Sequence, residues 1–245
     1  MFKLLFLVFS GLKFSKVLLT GGTMLLSVFV YAFIYGWRYA AGFVALLFVH
    51  EMGHFMAARQ RGLNVGAPTF IPFVGAWIEL KDLPHDAETE AYVGLAGPLV
   101  GSLGALACYF VARDMGASGH WLLAVSYGGF FLNLFNLIPL SPLDGGRITA
   151  VLSPKLWLLG VPVLLGLFWM NPSPMLILIA ILAAPQVMKA WKFRADDPAN
   201  AAYYQASAET RLSYATAYIG LLGFLAVMTH DVHEMLSSAR PTAGL

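Results

Sequence analysis

Charged residues are scarce in this sequence. Only 11% of the 245 residues are Asp, Glu, Lys or Arg, whereas 59% are hydrophobic, and the mean hydropathy is +0.72. A soluble globular domain carries about 25% charged residues. The composition therefore excludes that class and indicates a protein that crosses a membrane several times. The net charge of +2 is too small to indicate a nucleic-acid partner.

Cysteine is almost absent as well. The single cysteine, Cys108, excludes an internal disulfide and any zinc site built from several cysteines. Its apolar neighbours predict inert packing inside a helix. Chemistry in this chain therefore has to come from other side chains.

Long apolar runs are what the sequence has in abundance. Crossing about 30 Å of hydrocarbon takes roughly 20 residues. The sequence predicts spans at 17–35, 39–58, 91–112, 120–140 and 212–229, with two shorter, proline-broken segments at 156–170 and 175–188. The predicted fold is an all-α polytopic membrane protein with about six or seven transmembrane helices and no internal repeat.

The same runs divide the chain into regions. We expect an interfacial N-terminal lead-in at 1–16, a transmembrane core at 17–150, further transmembrane segments at 151–193, a cytoplasmic linker at 194–211, the last transmembrane helix at 212–229 and a tail at 230–245. With a cytoplasmic N-terminus and seven spans, 12 of the 15 basic residues fall on the cytoplasmic side, as basic residues generally do. The predicted location is the cell (inner or plasma) membrane.

One predicted span contains histidine and glutamate, which are costly in hydrocarbon and need a reason there. His50, Glu51 and His54 form the pattern H-E-x-x-H. Residues four apart share one helix face, so both imidazoles can hold the same zinc ion, and Glu51 can act as general base on a zinc-bound water. At about 1.5 Å per residue, the motif lies in the cytoplasmic half of the bilayer.

A catalytic zinc needs a third protein ligand. Asp144 is the best candidate, because it follows the end of the fourth span at the same depth, among prolines and glycines that make the backbone irregular. Its alternative roles are a helix cap or an ion-pair partner of Arg147. The remaining histidines, in loops and near the C-terminus, are predicted to be solvated, so we expect one zinc per chain.

Two asparagines precede this aspartate on the fourth span. Asn133 and Asn136 are three residues apart and share a helix face that points towards the predicted zinc site. An amide there can bind the substrate backbone or stabilise an oxyanion. Hydrogen bonding between helices is the alternative.

Residues 69–80 are apolar but too short and too rich in proline and glycine to span. They predict two short strands in a re-entrant or interfacial loop near the active site. An extended substrate could add to the edge of such a strand, and a loop that only fills the cavity is the alternative. The predicted substrate-binding residues of this loop are Phe70, Ile71, Phe73, Val74 and Trp77.

Glycines line one side of the third span. Gly97, Gly101 and Gly104 follow one another at intervals of four and three residues. Small residues let helices approach closely, so this stripe predicts helix packing.

Together these motifs resemble the site-2 protease family of intramembrane zinc metalloproteases, over about residues 20–150. The resemblance rests on His50-Glu51-x-x-His54, on Gly94, Gly97 and Pro98, on Asn133, Asn136 and Pro139, and on Leu143, Asp144 and Gly145. It implies that His50, His54 and Asp144 bind zinc, that Glu51 is the base and that Asn133 assists the transition state. It also implies single-pass membrane proteins as substrates, often anti-sigma factors or membrane-tethered transcription regulators.

Many members of that family carry a PDZ or CBS domain, and we expect neither in this chain. How the protein is gated, and whether it forms homo-oligomers, stays open. The alternative function is a membrane metal transporter or metal-binding sensor that uses the same His and Asp residues. A transporter should show polar groups across the whole membrane and often an inverted repeat. Intact Glu51 argues against a catalytically silent scaffold.

Overall fold

The structure is a computed structural model. It describes residues 2–73, 75–77, 82–194 and 197–238, without the side chains of residues 2–17, 77 and 199. Val74, one of the predicted substrate-binding residues, lies outside the described residues. The predicted strand region beyond Trp77 does as well.

The described residues form a helical protein with one small sheet, as the sequence predicts. The long helices are α1 (Phe2–Tyr35), α2 (Trp37–Gln60), α3 (Ala87–Asp114), α4 (His120–Asn136), α7 (Pro174–Trp191) and α9 (Ala208–Ser238). The short ones are α5 (Asp144–Ala150), α6 (Gly160–Met170) and α8 (Pro198–Tyr203), with two 3-10 turns at Gly116–Gly119 and Pro154–Leu159.

Within the described ranges, five helices are long and apolar enough to cross a membrane: α1, α2, α3, α7 and α9. The protein is therefore a multi-pass membrane protein. Helix α4 has only 17 residues, and the apolar segment Pro154–Met170 is similarly short. The predicted total of six or seven spans depends on these two segments.

Several helix ends differ from the predicted spans. Helix α1 runs without interruption from Phe2, so the predicted lead-in at 1–16 continues into the first span. Helix α9 extends to Ser238, so the first part of the predicted tail is helical. The predicted linker at 194–211 contains a short helix, α8.

Local sequence explains where the helix that carries the H-E-x-x-H motif begins and ends. A single residue, Gly36, separates α1 from α2 and has a positive φ of 80°. Gly62 follows the end of α2 with a φ of 76°, and its N–H donates to the carbonyl of Arg59. Positive φ angles suit glycine, so these two residues set the limits of the helix.

The sheet is a hairpin of β1 (Thr69–Ile71) and β2 (Gly75–Trp77), paired antiparallel with Phe70 opposite Ala76. Its existence confirms the two predicted strands. Helix α1 holds the hairpin through three hydrogen bonds. Thr20 Oγ1 donates to the carbonyl of Pro68 (2.7 Å), the Phe70 N–H donates to Thr23 Oγ1 (3.3 Å), and the Phe73 N–H donates to the Tyr31 hydroxyl (2.9 Å).

Helices α2, α3 and α4 form the centre of the molecule, and α9 packs on the outside of α4. Small residues bring these helices close together. A Cβ at Gly129 of α4 would come within 2.9 Å of the Ala105 side chain on α3, and one at Gly42 of α2 would crowd Val125 on α4. Close backbone approach of this kind is how membrane helices associate.

The segment after α7 is hydrogen-bonded to the first turn of α3. The Tyr203 hydroxyl donates to Glu90 Oε2 at 2.7 Å. Burial, together with the neighbouring Glu90 carboxylate, raises the pKa of Tyr203, so this hydroxyl stays protonated and remains a donor. Arg211 donates to the carbonyls of Leu152 and Tyr204. The linker is therefore a packed part of the structure.

Candidate active site

The H-E-x-x-H motif lies in the middle of α2, on the side that faces other helices. His50, Glu51 and His54 are only 4%, 5% and 7% exposed. Helix α2 packs against both α3 and α4, so the three polar side chains point into protein and away from lipid. This is the usual position of ionisable groups in membrane helices.

Asp144, the first residue of α5, completes the cluster. Its Oδ2 lies 3.3 Å from His50 Nε2 and 3.2 Å from His54 Nε2, and the two Nε2 atoms are 3.1 Å apart. Within the described part of the chain, this is the one group of three or more His, Cys, Asp or Glu whose ligand atoms lie close enough to share a metal ion.

The donor set fits a single zinc ion. Tetrahedral zinc with bonds of about 2.0–2.2 Å to nitrogen and oxygen separates its ligand atoms by about 3.3–3.6 Å. The observed spacing of 3.1–3.3 Å is close to this range, and two imidazoles with one carboxylate are a common catalytic zinc set. The three residues and Glu51 border a cavity of about 230 Å³, so the open side of the cluster faces space that a substrate can occupy.

Helix α3 supports His54 from behind. The Nδ1 of His54 donates to the main-chain carbonyl of Val93 at 2.8 Å, which leaves the lone pair of Nε2 directed at the cluster. Gly97 makes room for the ring, because a Cβ there would collide with the imidazole. A main-chain acceptor leaves no side-chain signature, so the sequence could not indicate Val93.

The two asparagines occupy different environments. Asn133 is 1% exposed, and its Oδ1 lies 2.8 Å from His50 Nδ1. Asn136 is the last residue of α4 and borders the cavity. Sequence analysis placed both on one face towards the site, and the structure separates them into a buried residue and a cavity residue.

Arg147, which sequence analysis considered only as an ion-pair partner of Asp144, also borders the cavity. Its Nη1 lies 3.8 Å from Asp144 Oδ1, on the oxygen that does not face the histidines. The ion-pair and the metal-ligand roles of Asp144 are therefore compatible. Asp144 does not cap α5 from the preceding position, because Leu143 occupies that position.

The hairpin meets the cavity through β2. Gly75 and Ala76 border the same space as the histidines, although neither was among the predicted contacts. Phe70 of β1 is 2% exposed and packs against Phe48, so its side chain has almost no surface to offer a substrate. Trp77 pairs through its main chain with Thr69.

A second cavity of about 370 Å³ adjoins the first and is lined almost entirely by apolar side chains. Phe73 borders it, as do Tyr31 and Phe131, and Leu47, Gly75 and Met175 border both cavities. Ile71 is 37% exposed and is the last residue of β1, before the turn that leads to β2. The cluster thus lies next to a largely apolar cavity.

Comparison with known proteins identifies the motif region. Residues 38–118 match peptidase family M50. The chain is 36% identical to zinc metalloprotease MJ0392 of Methanocaldococcus jannaschii, over 45% of this chain and 34% of that protein. The motif region is therefore similar to that of known zinc metalloproteases. The chain is also 34% identical to putative zinc metalloprotease Rip3 of Mycobacterium tuberculosis, over 46% of this chain and 31% of that protein.

Two proteins with lower sequence identity are also similar to this chain. The probable zinc metalloprotease EGY1 of Arabidopsis thaliana is 26% identical over 44% of this chain and 28% of that protein. The solved site-2 protease from M. jannaschii aligns with a TM-score of 0.44 and 21% identity, covering 75% of this chain and 87% of that chain. The chain spans about a third of the length of the curated relatives it matches.

Proposed function

We propose that this protein is a member of the site-2 protease family and a zinc endopeptidase that hydrolyses peptide bonds in membrane-embedded segments of other proteins. One observation carries the proposal. Two imidazole nitrogens and a carboxylate oxygen lie 3.1–3.3 Å apart, next to Glu51, in a buried cavity between apolar helices. That combination suits metal-assisted hydrolysis away from bulk water.

Each residue of the cluster has a distinct role in this proposal. His50, His54 and Asp144 hold the zinc, which when bound polarises a carbonyl and lowers the pKa of water. Glu51 accepts a proton from the attacking water and delivers it to the departing amine nitrogen. Because Glu51 is the residue next to His50 and is not part of the ligand triangle, it stays free to take up and release that proton.

Asn136 and β2 are suited to hold the substrate. Asn136 borders the cavity, where its amide can bind a substrate main-chain group. Among the described residues, strand β2 pairs with β1 alone, and Gly75 and Ala76 border the cavity. A substrate segment that unwinds could add to β2 as a further strand. The exposed N–H and C=O groups of the substrate segment would then be paired.

The arrangement does not favour the alternative of a metal transporter. A transport path needs polar groups along its whole length. Among the described residues, the buried histidine, acidic and basic side chains are His50, Glu51, His54 and Asp144, and they form a single cluster. The adjoining cavity is apolar and suits an apolar peptide segment better than a hydrated metal ion.

We further propose that the N-terminus is cytoplasmic, that the protein lies in the inner or plasma membrane, and that the cluster lies in the cytoplasmic half of the bilayer. The distribution of basic residues supports this orientation. Residues 17–150 would form the catalytic core, and the substrates would be single-pass membrane proteins.

A co-reconstitution experiment tests the function. Proteins that accumulate with Glu51→Gln in native membranes would be identified and placed with the purified chain in liposomes. Cleavage within the membrane segment should require zinc and should be absent with Glu51→Gln. Zinc flux across the liposomes without cleavage of any trapped protein would overturn the proposal in favour of a transporter.

A further inference from the structure

The buried amide of Asn133 is fixed at both ends. Its Nδ2 donates to the carbonyl of Gly129 at 2.7 Å, one turn back on α4. That bond turns the amide oxygen towards α2, where it lies 2.8 Å from His50 Nδ1. An amide oxygen only accepts hydrogen bonds, so the imidazole must donate. His50 therefore carries a proton on Nδ1 and directs the lone pair of Nε2 at His54 and Asp144.

The surroundings allow little change in this contact. Asn133 and His50 are 1% and 4% exposed, so water does not compete for either group. Gly101 of α3 provides the space for the amide, because a Cβ there would come within 2.5 Å of Asn133 Oδ1 and 2.9 Å of Nδ2. Three helices thus meet at one side-chain amide.

We propose that Asn133 is a positioning residue that holds His50 in its Nδ1-protonated form, with Nε2 directed at the metal, and does not contact the substrate. The inference rests on the proposed metal site but not on peptide hydrolysis. It also differs from the transition-state role that the sequence resemblance implies for Asn133. His54 receives the equivalent support from the main chain of Val93, so Asn133 supplies the one side-chain support among the two histidines.

Metal affinity measures this role directly. Loss of the partner behind a histidine ligand typically weakens metal binding 10- to 100-fold. We expect Asn133→Leu, which keeps the volume and removes the acceptor, to weaken zinc binding by about that factor. Asn133→Asp keeps an acceptor opposite His50 and should bind zinc more tightly than Asn133→Leu. The measurement is a competition titration of the full chain in detergent with a zinc chelator.

Two glycines on α3 give a matched pair that leaves Asn133 itself unchanged. Gly101→Ala should displace the amide and weaken zinc binding in the same way as Asn133→Leu. Gly104→Ala adds the same methyl group one turn further along, where a Cβ meets only the flexible side chains of Leu46 and Val49 at 3.1 Å. It should leave zinc binding within about threefold of the wild type, a change too small to indicate loss of a ligand support.

A spectroscopic measurement separates positioning from general destabilisation. In ¹⁵N-histidine-labelled protein loaded with cadmium, wild-type His50 should carry its proton on Nδ1 and the metal on Nε2. The Nδ1–H signal should be protected from solvent exchange and should lose that protection in Asn133→Leu. A wild-type signal with the proton on Nε2 would overturn the proposal even if the variants failed to fold.

The outcomes distinguish this inference from the proposed function. If Asn133→Leu binds zinc as the wild type does and loses only turnover, Asn133 acts on the substrate and the positioning role is wrong. If the wild-type chain binds no zinc at all, the proposed metal site fails first.

Discussion

Gly97 of α3 lies directly against the imidazole of His54 on α2, where a Cβ would collide with the ring. Sequence analysis predicted that Gly97, Gly101 and Gly104 serve helix packing. In the structure, two of these glycines also make room for particular polar side chains. Gly97 makes room for His54 and Gly101 makes room for Asn133, whereas Gly104 faces apolar side chains.

Gly97→Ala should therefore damage the metal site. The added methyl group must push His54 away from Asp144 or separate the two helices, and we expect zinc affinity to fall at least about tenfold. Overpacking should also lower the free energy of unfolding by about 1–3 kcal/mol. Zinc titration and thermal unfolding in detergent measure the two effects. Gly223→Ala on α9, where a Cβ meets nothing within 4 Å, is the control, and equal zinc affinity in both variants would contradict the expectation.

Glu51→Gln should abolish peptide cleavage and leave zinc bound, because Glu51 is proposed as the base and lies outside the ligand triangle. Turnover and zinc content of the purified chain are the measurements. Glu209→Gln, at an exposed position on α9, is the matched control and should cleave normally. Near-normal turnover in Glu51→Gln would rule out the proposed proton transfer.

Metal analysis should find about one zinc per chain, since the described residues contain a single three-ligand cluster. His54→Ala and Asp144→Ala should each lose zinc as well as activity. Loss of one ligand from three leaves too few protein donors for a catalytic zinc. A second stoichiometric zinc that survives both substitutions would point to the histidines of α9.

Asn136→Ala should lower turnover by about 10- to 1,000-fold, the range seen when one oxyanion donor is removed. Zinc content should not change, because Asn136 borders the cavity and the amide that is hydrogen-bonded to His50 in the described part of the chain is that of Asn133. Substitution of Asn136 should thus lower turnover but not zinc affinity, whereas substitution of Asn133 should lower zinc affinity. Weakened zinc binding in Asn136→Ala would mean that its amide supports the metal site instead.

Strand addition predicts a specific crosslinking pattern. In a Glu51→Gln background with Cys108 replaced by alanine, a cysteine at Ala76 should crosslink to one near the scissile bond of a trapped substrate. A cysteine at Phe70, which is buried against Phe48, is the negative control. Efficient crosslinks to another segment, with none along β2, would support the alternative that the hairpin only fills the cavity.

The sequence allowed a metal cluster to be predicted as a group because helix geometry constrains where its histidines lie. His50 and His54 are one turn apart, so any helix over this segment brings them together. Asp144 could be placed because its span runs back to the same depth. The structure brings all three within hydrogen-bonding distance of one another, although their role as zinc ligands stays a proposal.

What the sequence could not resolve depends on tertiary contacts. Spacing put Asn133 and Asn136 on one face, but α4 ends at Asn136, which leaves one amide between helices and the other at the cavity. Two short strands were predicted correctly, yet the pattern of apolar residues could not show that β2 and not β1 borders the cavity. The carbonyl of Val93 has no sequence signal at all.

Helix α1 is largely exposed, since only 11% of its candidate span is buried, and yet Thr20, Thr23 and Tyr31 hydrogen-bond the hairpin to it. A hydrophobic helix adjusts its tilt to the thickness of the surrounding bilayer. Because β2 is bonded to β1, a change in the tilt of α1 moves the edge of β2 relative to His50 and His54. The geometry of this site should therefore depend on the acyl-chain length of the surrounding lipids.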